Sequence, residues 1–224
     1  AAALALIDEN GHAEIPDTYT RIGASAFENS NLVSVTIPDS ITSIGNNAFA
    51  DSGLSSVIIP DSVTEIGERA FIYSYLTSLT IPASVTKIGD YAFYQMRNSC
   101  IWDDVNYTEV CTGLNELYFA EDSVLTEIGY YAFSFNDISS VVLPDSLTYI
   151  ASEAFRGNNI SSLIMGISIT ELSNRVFIDN PIETLVIGDS VTTIGNEEFR
   201  GSPISSLILG ANVTSIGEDA FNGI

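Results

Sequence analysis

The chain has 224 residues, of which 29 are acidic and only 7 are lysine or arginine, so its formal charge is −22. A surface this acidic repels phosphate backbones and anionic lipid, which argues against nucleic-acid binding and membrane docking. The hydrophobic content of 46% is too high for a disordered chain, yet no apolar run approaches the roughly 20 residues that membrane insertion needs.

Residues 1–15 are predicted to form an N-terminal capping hairpin. Residues 4–15 can form two short strands around Asn10 and Gly11, a dipeptide that strongly favours a two-residue hairpin turn. We expect this hairpin to cover the first unit of the array that follows.

A 22-residue repeat fills the rest of the chain, residues 16–224. A threonine lies seven residues, and an isoleucine or leucine five residues, before each phenylalanine of the repeat. Such self-similarity is the signature of a solenoid, in which each unit buries its apolar residues against its neighbours. The phenylalanines are 22 residues apart except for one gap of 40, and they are Phe27, Phe49, Phe71, Phe93, Phe133, Phe155, Phe177, Phe199 and Phe221.

One unit illustrates the predicted fold. Leu54, Val57 and Ile59 follow the L-x-x-L-x-L spacing of a leucine-rich-repeat strand. Pro60 ends the strand because it cannot donate to a ladder, and Phe71 then faces the core from a short helical or irregular turn. We therefore predict a leucine-rich-repeat solenoid, α/β-type and β-rich, with nine stacked units and a concave parallel sheet.

The unit sequence also resembles a known class. The string IPDSITSIG that starts at Ile37, followed by Ala48 and Phe49, resembles the BspA-like leucine-rich repeats, whose units read roughly L-x-x-V-x-I-P-x-S-V-T-x-I-G-x-x-A-F. The resemblance covers about residues 15–221. It implies a curved solenoid, usually in surface or secreted proteins of microbes and often tied to adhesion, and it implies no catalytic residues.

Late units depart from this pattern. Val176 and Glu198 replace the alanine that precedes the phenylalanine. Glu198 places a charge where the class buries a methyl group, so we expect looser packing late in the array.

The 40-residue gap marks an insertion at about 94–113, with a two-residue expansion around 121–124. Both cysteines of the chain, Cys100 and Cys111, lie in the insertion, and their proximity predicts a local disulfide. Closing such a loop stabilises it by about 3 kcal/mol in the chain-entropy model and implies an oxidising compartment, hence export. Unlinked thiols are the alternative, and a metal site is disfavoured because His12 is far away in sequence.

The insertion is also the predicted binding site, because insertions in repeat proteins often map to the binding face. Trp102 and Tyr107 are of the types enriched at interaction hot spots, although Trp102 would equally suit packing on the solenoid. Asp103 and Asp104 would suit calcium, but adjacent acids are more often solvated, and no other cofactor or metal is expected. The candidate binding residues are Met96, Trp102, Asp103, Asp104, Tyr107 and Tyr118.

The strand sequence predicts a flat, partly apolar surface. Its third and fifth positions face outward, and such a face would suit a partner along its length. Plain β-propensity is the alternative explanation. The third position is mostly serine, and the fifth is occupied by Thr36, Ile58, Thr80, Tyr118, Val142, Ile164, Val186 and Ile208.

The chain carries no recognisable catalytic motif. It lacks G-x-S-x-G, H-E-x-x-H and a phosphate-cradling glycine loop, and the repeat serines have no evident histidine to activate them. We therefore predict no enzyme but a secreted or cell-surface binding scaffold for a protein or glycan ligand. The alternative is a structural spacer or filament module that self-associates by stacking end to end through its uncapped C-terminal repeat.

Overall fold

A computed structural model describes residues 3–95 and 113–223, together with the backbone of two strands of the insertion, Ile101–Asp103 and Thr108–Val110. The chain is a parallel β-solenoid of about nine turns. The predicted leucine-rich-repeat solenoid is therefore confirmed.

The first side of the solenoid, here called face A, consists of the L-x-x-L-x-L segments. Neighbouring strands pair in parallel at equivalent positions, as Ser140 does with Ser162, so side chains of one repeat position form a column. The strands are His12–Glu14, Ser34–Thr36, Ser78–Ile81, Glu116–Phe119, Ser140–Val142, Ser162–Ile164, Thr184–Val186 and Ser206–Ile208, with a single bridge at Ser56.

The second side, here called face B, has shorter strands. The threonine that precedes each strand in most units donates its hydroxyl to the threonine carbonyl of the previous unit, as Thr42 Oγ1 does to Thr20 at 3.1 Å. This bond accounts for the threonine in those repeats. The strands are Arg21–Ile22, Ser43–Ile44, Glu65–Ile66, Lys87–Ile88, Glu127–Ile128, Tyr149–Ile150, Thr193–Ile194 and Ser215–Ile216, with a bridge at Glu171.

The third side, here called the turn side, contains irregular turns, which is one of the two forms that the sequence predicted. The residue two positions before each repeat phenylalanine has a left-handed φ of 51 to 63°, from Ser25 to Asp219, which interrupts any helical run. Its amide instead points along the solenoid. Amides of each turn donate to carbonyls of the following unit, as the Phe27 N–H does to Ala48 O at 2.8 Å. Within the described ranges the only helix is the 3-10 helix Ala3–Leu6.

The core is organised around a column of stacked phenylalanines. All nine repeat phenylalanines stack on their neighbours, with ring centroids 5.0 to 6.0 Å apart and planes within 15°. From Phe27 to Phe199 they are essentially inaccessible to solvent. The stack also continues across the insertion, from Phe93 to Phe133 at 5.2 Å.

The N-terminal segment differs from the predicted hairpin. Its first arm is the 3-10 helix Ala3–Leu6, and an antiparallel bridge joins Ile7 to Ala13. The carboxylate of Asp8 accepts the amides of Asn10 and His12 at 2.9 Å each, which tightens the turn. The amide of His12, with that of Asn10, lowers the pKa of Asp8. The second arm, His12–Glu14, pairs in parallel with Ser34–Thr36 and is the first strand of face A.

The strand register shows how the 40-residue gap is divided. On face A, Ser78 lies opposite Glu116, whereas on face B Lys87 lies opposite Glu127. The number of residues between paired positions therefore grows by two from face A to face B, at the place where the two-residue expansion was predicted. Asp122 takes a left-handed φ of 56° there.

Within the insertion, the two strands pair antiparallel, with Trp102 opposite Glu109. Met96, Cys100, Asp104, Tyr107 and Cys111 lie outside the described residues. The disulfide therefore stays a prediction, as do the binding and calcium roles of the insertion.

Glu198 is fully buried, and its side chain enters the ladder between two units. Oε2 accepts the Val176 amide at 3.0 Å, while Oε1 has no hydrogen-bond partner in the described part of the chain. The adjoining pair, Phe177 and Phe199, has the widest ring spacing of the column, 6.0 Å. The sequence-based expectation of looser packing is thus met at one junction. Burial raises the pKa of Glu198 well above its usual range, although the amides of Val176 and Phe177 oppose the shift.

The column predicts a large cost for losing one ring. Phe71→Ala is expected to lower the free energy of unfolding by about 3–5 kcal/mol, because the neighbouring rings cannot close the gap. Phe135→Ala, at a half-exposed phenylalanine outside the column, is the matched control and should cost much less. Urea unfolding followed by circular dichroism measures both, and equal losses would contradict the dominance of the column.

Glu198 predicts a distinct pH dependence of stability. The pKa of Glu198 is raised in the folded state, so its contribution to the free energy of unfolding is fully favourable below the unfolded pKa of about 4.3. As pH rises from there toward the folded pKa, this contribution falls by roughly 1.4 kcal/mol per pH unit. Glu198→Ala should therefore be more stable than the parent at neutral pH, with the difference shrinking toward pH 4.

The neighbouring Glu197 provides the control of opposite sign. Arg175, and then Arg200, lower the pKa of Glu197, so its contribution is present above the unfolded pKa and is lost as pH falls. Glu197→Ala should remove stability at neutral pH. Thermal unfolding between pH 4 and 8 separates the two variants, and a Glu198→Ala curve parallel to the parent curve would refute the assignment.

Candidate functional site

The outward column of face A is predominantly apolar and open to solvent, as predicted. Its relative exposure is highest at Ile58, 85%, and stays at about half or more along the apolar positions that follow. From Tyr118 to Ile208 residues this exposed lie at consecutive rungs and form a stripe, which Thr80 separates from Ile58. Such a stripe differs from the scattered single side chains usual on protein surfaces. The exposed apolar members are Ile58, Tyr118, Val142, Ile164, Val186 and Ile208.

The ladder of face A is broken on both sides of one pair of strands, here called the central pair. The pair consists of Ser78–Ile81 and Glu116–Phe119, which form a two-stranded sheet. In the described chain this sheet is joined neither to the strands before it nor to the four-stranded sheet that starts at Ser140–Val142. On the side of Val142 the break coincides with the two-residue expansion, whereas on the other side Ser56 and Ser78 keep the regular 22-residue spacing.

A groove lies along each break, and Tyr118 lines both. One, of about 460 Å³, lies between Tyr118 and the strand that carries Val142. The other, of about 480 Å³, extends from Tyr118 toward Ile58 and Pro82. Tyr118 and the two grooves are called the Tyr118 site below.

The charge of the Tyr118 site has one sign. Its charged lining residues are all carboxylates, and no lysine or arginine is among the described residues that line either groove. Elsewhere, two exposed cations have acidic partners: Lys87 contacts Glu127 at 2.8 Å and Arg69 contacts Glu68 at 2.7 Å. The acidic residues of the site are Asp61, Glu116, Glu121, Asp122 and Asp145.

The single histidine lies near a repeat serine, contrary to the sequence-based expectation. His12 Nδ1 is 2.8 Å from Ser34 Oγ, and Nε2 is 3.2 Å from Thr36 Oγ1 and 3.6 Å from a Glu14 oxygen. Both ring nitrogens thus contact hydroxyls of the next strand, which fits a cross-strand link. The 22-residue separation of His12 and Ser34 was the signal for this pair.

A second cluster, on the turn side, was also missed. The Tyr131 hydroxyl donates to Glu153 Oε2 at 2.6 Å, and the Arg156 guanidinium contacts the same oxygen at 2.6 Å while lying 5.4 Å from the Phe135 ring centroid. Burial, together with the bond to Glu153, raises the pKa of Tyr131. The bonds to Glu153 link neighbouring units and support the fold, and the spacing of Tyr131 and Glu153 by one repeat would have revealed them.

Of the predicted site residues, Tyr118 has a described side chain, and it lies exposed at the centre of face A. Trp102 and Asp103 are placed by their backbone alone, in the strand Ile101–Asp103. Among the described residues there is no group of three or more potential metal ligands, and no helix is long and apolar enough to cross a membrane.

Solved structures of several bacterial proteins share the fold. A leucine-rich repeat protein from Bacteroides ovatus matches 94% of the chain with a TM-score of 0.69 and 23% identity. The pneumococcal vaccine antigen PcpA matches 96% with a TM-score of 0.56 and 19% identity. The chain spans 63% of the first protein and 50% of the second.

A leucine rich cell surface protein from Faecalibacterium prausnitzii is 25% identical, with a TM-score of 0.50 over 94% of this chain and 76% of that one. A search of curated proteins found no match. The family model of the BspA type leucine rich repeat region, which has six copies, matches residues 9–125 and 126–224. With the stacked 22-residue units described above, this match shows that the chain belongs to the BspA-type leucine-rich-repeat family.

Proposed function

We propose that the chain is a non-catalytic scaffold exposed on the outside of a microbial cell, where face A binds a protein partner. The observation that carries this proposal is the stripe of exposed apolar side chains on face A. The family match, and the resemblance to a cell surface protein of F. prausnitzii, support the location. Adhesion would follow if the partner belongs to another cell.

The physical basis is the regular spacing of the stripe. Neighbouring units repeat every 5 to 6 Å along the phenylalanine column, so apolar contacts recur at this interval beside rows of small hydroxyl side chains. A partner that covers the stripe removes apolar surface from water at about 25 cal/mol per Å². Part of that gain offsets the cost of association, and contact over several units is therefore required.

The non-catalytic assignment rests on how the polar groups are used. Threonine hydroxyls of face B bond to backbone carbonyls of the previous unit, as Thr86 Oγ1 does to Thr64 at 3.0 Å. Buried asparagines act similarly, since Asn158 Nδ2 donates to Phe133 O and Phe155 O at 2.9 and 3.0 Å. These groups are committed to holding neighbouring units together.

A selection experiment tests the use of face A. A random peptide display library is selected on the immobilised chain, and the enriched binders are measured against two double variants. Ile58→Ser with Ile164→Ser is expected to weaken most binders at least tenfold, because two exposed apolar anchors of the stripe are lost. Tyr149→Ser with Ile167→Ser, at exposed positions outside face A, is the matched control. Binders that depend on the control pair and ignore the first pair would overturn the proposal.

The stacking alternative makes a different prediction about mass. We expect a constant monomer mass across protein concentration in light scattering at low salt, because copies of net charge −22 repel one another. Mass that grows with concentration, and returns to the monomer value in a Leu207→Glu variant, would favour end-to-end stacking over a monomeric scaffold.

A further inference from the structure

We infer that the Tyr118 site binds an extended, basic segment of the partner protein, with a lysine or arginine side chain lying over the Tyr118 ring. This inference rests on the proposed function and specifies the chemistry of the partner at one place on face A. Three observations carry it: the open ring, the unpaired carboxylates around it, and the two grooves that meet there.

The Tyr118 ring is available to a ligand. Its side chain is 58% exposed, and the positions beside it in the column are Thr80, directly opposite in the paired strand, and Val142 in the next unit. Neither side chain is large enough to cover a phenol ring. Aromatic faces attract cations through the ring quadrupole, most strongly where the contact is partly desolvated.

The charge around the ring selects for a cation. The carboxylates that line the two grooves form none of the salt bridges found among the described residues. Asp145 is partly occupied, because its Oδ1 accepts the Ile167 amide at 3.2 Å. Glu116 and Glu121, by contrast, are exposed side chains on either side of Tyr118 in sequence. A basic side chain above the ring would be attracted both by the quadrupole of the ring and by these carboxylates.

The shape of the site favours an extended chain. The two grooves flank the central pair and share Tyr118 and Ala120, so a segment crossing the strands passes from one groove into the other over the ring. The apolar side chains at the outer ends are Ile58 and Val142. Because side chains of an extended segment alternate, the best occupant carries apolar residues on either side of a central basic one.

The inference is tested with defined peptides. Fluorescence anisotropy follows the titration of three fluorescein-labelled nonapeptides with the intact chain. The peptides are GRVSRSVRG and its versions with glutamine or glutamate in place of every arginine. We expect the arginine peptide to bind more tightly than the glutamine peptide, and the glutamate peptide to bind least. Tyr118→Ser should weaken binding of the arginine peptide about 3- to 30-fold, whereas Tyr149→Ser, a tyrosine of similar exposure on face B, should leave it unchanged.

A charge-matched pair separates a local site from general attraction to an acidic protein. Glu116→Gln with Glu121→Gln, and Glu9→Gln with Glu171→Gln, both reduce the net negative charge by two. The first pair is expected to weaken binding at least threefold more than the second at 0.15 M salt, where distant exposed charges are screened. Equal effects of the two pairs, or of Tyr118→Ser and Tyr149→Ser, would overturn the inference.

The peptide results also distinguish failure here from failure of the proposed function. If the glutamine peptide binds as tightly as the arginine peptide and Tyr118→Ser weakens both, the basic occupant is refuted while binding through face A stands. If the library selection yields no binder that depends on face A, the proposed function fails, and with it the inference that rests on it.

Discussion

Stacking of one phenylalanine ring upon the next is the interaction on which the rest of this molecule depends. A ring that must lie about 5 Å from its equivalent in the neighbouring unit forces the chain to return to the same point every turn. The insertion illustrates the strength of this constraint, because Phe93 and Phe133 stack normally although 40 residues separate them. Face A loses its regular ladder around Tyr118, whereas the phenylalanine stack stays unbroken.

The sequence predicted what the repeat determines directly. The nine units and the alternation of buried and outward positions on face A both follow from a period of 22 residues. The turns were harder to predict, because left-handed φ values occur at Ser25, Arg69 and Tyr91, residues that carry no glycine-like signal. Contacts between units, such as Tyr131 with Glu153, were not predicted, because the residue at this repeat position differs from unit to unit.

The candidate site was predicted only in part. Tyr118 was singled out because it interrupts a column of smaller residues, and it lies at the meeting of the two grooves. The grooves themselves depend on where strand pairing on face A stops, which no local pattern in the sequence encodes. A repetitive scaffold thus acquires one distinctive place where its repetition is disturbed. The same logic applies to Glu198, whose buried carboxyl disturbs the ladder from inside and leaves the surface regular.

The one-way hydrogen bonds of the turn side have an electrical consequence. In a turn such as that of Phe27, three amides, those of Ser25, Phe27 and Asn29, all donate toward the following unit. Their peptide dipoles consequently add along the axis, as they do in an α-helix, whereas in face B the Gly45 amide points back to Ile22. The turn side therefore has a polarity of its own, positive toward residue 223. Any unit or partner that continues the turn side beyond that residue must offer carbonyl oxygens or another acceptor.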